Sequence, residues 1–199
     1  MSTIDAFKAK ITSSDFEAQG PVVGTIKVKV LVGSSTGSVE GTFKVKGGDI
    51  EESITAKVLG TTTTYDNIVV GGTAYSRTNG GDWNKAPASG QTIQAFVGSG
   101  IPITDEGVET KFGRQLHRLT VEDMSGVDPS AFGITAGSDQ SNLAIDSLSF
   151  WAEEDGTPAG LSIQASLDQK IAFATAHETV TLDMSIDSLS GVTITAPTN

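Results

Sequence analysis

The chain of 199 residues contains no cysteine, which removes disulfides, thiolate metal sites and cysteine nucleophiles together and leaves its redox compartment open. Two histidines are all it has, so acid–base chemistry has few side chains to draw on. Cations are scarce as well: Lys and Arg number 13 against 24 Asp and Glu, for a formal net charge of −11. Phosphate backbones and anionic head groups are repelled by such a surface, and nucleic acid is not an expected partner. No run approaches the roughly 18 apolar residues that a membrane-spanning helix needs. The opening MSTIDAF also lacks a basic stretch followed by an apolar one.

What the chain does have is glycine, 23 residues of it, with abundant Val, Ile and Thr. That is the composition of a β-rich protein rather than of a disordered acidic chain or a helical bundle. The length suits one domain over residues 1–199. Ser2 or Thr3 can cap a short helix in which Ile4, Phe7 and Ile11 share a face. From Pro21 the period becomes two: Val22, Ile26, Val28, Val30 and Val32 oppose Thr25, Lys27 and Lys29. The same alternation returns at Val39, Phe43 and Val45, and again at Ile50, Ile54, Ala56 and Val58, with glycine turns between. Less regular strands lead to Asn79-Gly80-Gly81 and Trp83. From Asn84 to Gly100 the alternation stops, and Ile93, Phe96 and Val97 fit one face of a second short helix.

Between Val108 and Val121 the apolar positions change parity near Gly113, which suggests a bulge. Asp128 to Gly133 reads as a helical turn. Leu143 to Trp151 then pairs with Leu161, Ile163, Ala165 and Leu167 across a turn at Asp155-Gly156. A last strand from about Ile171 carries Phe173, Val180, Leu182, Met184 and Ile186.

One apolar and one polar face on nearly every strand means a single large sheet with one side to hide. About eight strands at roughly 4.8 Å spacing, each about nine residues long, present a face on the order of 1,200 Å². Two helices of about nine residues shield on the order of 260 Å² of it. The remainder is hidden if the sheet curls into a barrel or half-barrel. The space inside is then filled by large side chains or left for an apolar ligand, and the pattern alone admits both.

Three stretches, TYDNIVVGGTAYSRTNGGDWNK, RQLHRLTVEDMSGVDPSAFG and SLSFWAEEDGTPAGLSIQAS, follow the order strand pair to Trp, short helix, strand to Asp-Pro-Ser, and hairpin on Asp-Gly-x-Pro. In this the chain resembles the LppX/LprA/LprF/LprG family of cell-envelope lipoproteins, whose fold is similar to that of the LolA and LolB lipoprotein carriers. The resemblance implies an α+β, mainly β fold: a single curved antiparallel sheet, or half-barrel, with short helices on its concave face. It further implies a non-enzymatic, extracytoplasmic carrier that holds acyl chains of a lipid, lipoglycan or lipoprotein in a hydrophobic cavity. Family members carry a signal peptide and an acylated cysteine that this sequence lacks; the expectation is a soluble, monomeric domain whose anchor belongs to its precursor.

The expected ligand-binding residues are Ile26, Val28, Val30, Phe43, Val45, Ile54, Val58, Leu161, Ile163, Phe173, Leu182 and Met184. Ile4, Phe7, Ile93, Phe96 and Val97 would act as movable covers. No catalytic residue, metal or cofactor is expected: His117 and His177 lack local partners at telling spacing, and Asp146, Glu153, Glu154 and Asp155 lack the loop of a calcium site. Arg77, Lys85, Arg114 and Arg118 could meet an acidic head group or form surface ion pairs. The competing function is an adhesion or glycan-binding module with a solid core, in which Trp83 or Trp151 would stack on sugar.

Overall fold

The computed structural model describes residues 2–12, 22–88, 102–125, 127, 129, 140–171, 174–189 and 191–198. Among these residues one helix forms, α1 (Thr3–Thr12). Ser2 caps it: its hydroxyl accepts the Asp5 amide at 3.2 Å and donates to the Asp5 carboxylate at 2.7 Å. The capping hydroxyl is the main reason that carboxyl lies below its ordinary value. Ile4, Phe7 and Ile11, at helical spacing, turn toward the sheet.

Eleven strands make one antiparallel sheet. They are β1 (Val22–Val32), β2 (Ser35–Lys46), β3 (Asp49–Val58), β4 (Thr61–Val70), β5 (Thr73–Thr78), β6 (Asn84–Pro87), β7 (Ile103–Lys111), β8 (Arg114–Val121), β9 (Gln140–Ala152), β10 (Pro158–Ile171) and β11 (Ala174–Ser188). Their order is β6-β5-β4-β3-β2-β1-β11-β10-β9-β8-β7. The first and last strands pair with each other, so two meanders meet in the middle of the sheet. Because β6 and β7 are its two edges, the curved sheet stays an open half-barrel.

Two of the extra strands fall where the alternation misled. Asn84–Pro87, expected to lie beyond the strands, forms the short exposed edge strand β6, a place where proline is tolerated because no further ladder needs its N–H. The parity change near Gly113 is no bulge. Phe112 and Gly113, with φ of 53° and 75°, make a tight reversal between β7 and β8. The expected second helix at Ile93, Phe96 and Val97 and most of the expected turn at 128–133 lie outside the described residues.

The reversal also explains the parity. β8 pairs with β9 only from His117 to Thr120, and the hairpin tip runs over the polar face of β9 to β11. There Lys111 donates to Asp183 at 2.6 Å, and Arg114 donates to the carbonyls of Ala159 and Ile186 at 3.1 and 2.8 Å. Phe112 meets the Trp151 ring edge-on at 6.3 Å. It covers a small second core of Leu116, Trp151 and Ala159. Leu119 and Val121 point the other way, into the main core with Phe7, Leu148, Phe150, Leu161 and Ile163.

Candidate functional site

The concave face is assembled by register. Ile26 stands between Met184 and Gly41, Val28 between Leu182 and Val39, and Val30 between Val180 and Gly37. On β10, Leu161 and Ile163 oppose Met184 and Leu182. On the other flank Ile54 opposes Gly41, while Val45 stands between Val22 and Ile50. Phe43 opposes Gly24, and its ring lies where a Gly24 side chain would be, 2.5 Å from the position of a Cβ. Strand alternation puts all of these side chains on the side that carries α1. The structure thus brings the described candidates onto one surface. Phe173, like Ile93, Phe96 and Val97, lies outside the described residues.

Cover on this surface is uneven. Under α1 the face is packed: Phe7 and Ile163 are 1% exposed, and the Phe7 and Phe150 rings lie 5.4 Å apart. Among the described strands α1 packs against β7, β9 and β10. From β1 to β3 the same apolar rows continue half-exposed through Ile26, Val28, Val30, Phe43, Val45 and Ile54. They end at Val58, 53% exposed.

Bonds to the turn between β9 and β10 tie the helix that carries Ile4 and Phe7 to the sheet. Lys10 donates to Asp155 at 3.0 Å and to the Thr157 hydroxyl at 2.6 Å, and the Thr3 hydroxyl donates to the Glu154 carbonyl at 3.4 Å. The hydroxyl and amide of Thr157, then Lys10, hold the Asp155 carboxyl down at about 2. Between these bonds Gly156 touches the helix; a Cβ there would stand 2.5 Å from Ala6 and Phe7.

The four candidate head-group cations lie on the opposite, polar face. Arg77 pairs with Asp66 at 2.7 Å and covers the Trp83 ring at 4.5 Å. Lys85 lies 5.7 Å above the Tyr75 ring. Arg114 pairs with Glu153 at 3.0 Å, and Arg118 lies 3.5 Å from Glu109. Of the two readings, the register supports surface pairing. Trp151 is 5% exposed and donates to the Ser162 hydroxyl at 2.9 Å. With Arg77 over Trp83, neither tryptophan is the bare platform that sugar stacking uses.

Each histidine leans on one carboxylate, His117 on Asp105 at 2.9 Å and His177 on Asp168 at 3.2 Å. No hydroxyl bonds either ring among the described residues. Asp146 accepts the Ser166 hydroxyl at 2.9 Å. No group of three or more acidic or histidine side chains suited to a metal occurs among the described residues. No described helix is long and apolar enough to cross a membrane. A shallow trough of about 430 Å³ lies on the polar side of β1 to β3, lined by Thr25, Lys27, Glu40, Thr42, Thr55 and Lys57.

One residue of the concave face escaped the sequence reading. Glu178 is 7% exposed, and its Oε2 is buried without a hydrogen-bond partner. Its signal was available: Glu178 shares the parity of Val180, Leu182 and Met184.

The described residues therefore define an open antiparallel half-barrel with a helix seated on its concave, apolar side, the arrangement that the resemblance to the LppX/LprA/LprF/LprG and LolA/LolB proteins implies. Among solved structures the chain is similar to the lipoprotein LppX of Mycobacterium tuberculosis, at 13% identity and a TM-score of 0.49 over 96% of this chain and 99% of that one. It is similar to a DUF1329 family protein of Desulfovibrio piger, at 9% identity and a TM-score of 0.30 over 94% of each chain. A third likeness is to the MucA/MucB complex of Pseudomonas aeruginosa, at 10% identity and a TM-score of 0.34 over 92% of each chain. No family model and no curated protein matches the chain. Likenesses at this level say nothing of ligand or partner, so what the chain does is read from its own geometry.

Proposed function

We propose that residues 1–199 act as one non-enzymatic lipid-binding domain that holds the acyl chains of a lipid, glycolipid or lipoprotein against its concave face, for transport in the cell envelope. The observation that carries this reading is the largely apolar surface of β1 to β3, interrupted at Glu52, continuous with the core yet left half-exposed beyond the reach of α1. Ile26, Val28, Val30, Phe43, Val45, Ile54, Val58, Leu182 and Met184 would meet the chains. Leu161, Ile163, Ile4 and Phe7 would form the packed wall at one end. Phe173 would belong to the same acyl-contacting face, and Ile93, Phe96 and Val97 would complete the cover.

Acyl burial would drive binding at roughly 0.8 kcal/mol per CH₂ removed from water, with little preference for chain length. The net charge of −11 disfavours adsorption to anionic membranes, and the domain would act as a monomer on the extracytoplasmic side, held near the membrane by a lipid anchor. Native mass spectrometry and solvent extraction of the purified protein test the proposal. Co-purified lipid in sub-stoichiometric or equimolar amount is the expected result. Lipid-free protein that also takes up no acyl probe would contradict it.

A further inference from the structure

The concave face is apolar along β11 until Glu178. Its register partners are Val32 on β1 and Leu167 on β10, and the next residue on the same face is Val180. Leu167 is 4% exposed and Glu178 7%. His177 points to the other side, where it meets Asp168, so the nearest imidazole in sequence does not serve this carboxylate. Glu178 Oε2 is buried, and no donor among the described residues bonds to it. A carboxylate oxygen removed from water without a donor is costly, and a well-packed apolar residue at the same place would avoid that cost. A buried acceptor with no partner in the protein is a place where a ligand can supply the donor.

We infer that Glu178 is the polar anchor of the acyl site and selects ligands carrying a hydrogen-bond donor, a hydroxyl or an ammonium group, beside their hydrocarbon. An anionic head group such as a free carboxylate is rejected there, because it brings like charge and no donor to an acceptor already buried. This rests on the proposed acyl-binding function and adds to it a polar selectivity that apolar strands alone cannot give.

The test is equilibrium binding of three probes of equal length, dodecanol, dodecylamine and dodecanoate, to the full chain and to Glu178→Gln and Glu178→Leu. The protein is expected to bind dodecanol and dodecylamine each about tenfold more tightly than dodecanoate, the size of one charge-assisted hydrogen bond. Glu178→Leu should bind all three within about twofold of one another and unfold at a higher temperature. Glu178→Gln should lose the preference for the amine while keeping part of that for the alcohol. Dodecanol against dodecylamine separates a hydroxyl-selective site from an ammonium-selective one. Unchanged probe ratios in both variants would overturn the assignment of Glu178 while leaving acyl binding intact. Failure of every probe to bind the unaltered protein would overturn acyl binding, and the anchor with it.

Discussion

Phe7 shows how much one side chain decides. Its ring is 1% exposed and seated against Phe150, so Phe7→Ala is expected to destabilise the protein by about 3 to 5 kcal/mol, read from denaturant unfolding. The place of Phe7 was legible from its spacing with Ile4 and Ile11. Its anchorage was not, because that depends on a clamp of bonds from Lys10 to Asp155 and Thr157, 145 and 147 residues further along the chain. The clamp has a pH signature. Asp155 titrates at about 2 in the folded protein against an ordinary 3.8, so its contribution is present at and above the ordinary value and is lost as pH falls through about 2. The gap in unfolding midpoint between the protein and Asp155→Asn should therefore hold from neutral pH down to the ordinary carboxyl value, then close below it. A gap that widened with acid would contradict the clamp.

Elements were legible where alternation and turn chemistry agreed. β1 to β3 follow from the period-two runs ending in Gly33, Gly47 and Gly48, and β9 to β11 from the runs around Asp155-Gly156. The β7–β8 reversal was hidden because Phe112 occupies a left-handed turn position at φ 53° that asparagine, aspartate or glycine ordinarily takes. Phe112 is held there by its contact with Trp151, a tertiary effect that no local rule expresses. Gly156 is the corresponding point for α1. Its φ of 79° and the 2.5 Å approach of Ala6 and Phe7 leave no room for a methyl group. Gly156→Ala is expected to cost about 1 to 3 kcal/mol and to loosen the helix, visible as faster amide exchange over Thr3–Thr12. Unchanged exchange there would show that the helix does not depend on this contact.

At the scale of the molecule, the estimate that strand surface exceeds helical cover reached the right architecture with too few strands, eleven being present. The four cations suspected near the site fell on the other face, because the sequence gives their parity only once the pairing of the strands is known. Val58, on the acyl face and 53% exposed, separates binding from folding: Val58→Glu should change stability by no more than about 0.5 kcal/mol while reducing co-purified lipid. The central claim, that acyl chains lie on the open part of the concave sheet, is tested most directly by photo-crosslinking with a diazirine-bearing fatty alcohol followed by peptide mapping. Label is predicted on β1, β2, β3 and β11 at residues such as Val28, Phe43, Ile54 and Leu182. Label confined to the polar side, at Thr25, Lys27 or Thr42, would contradict it.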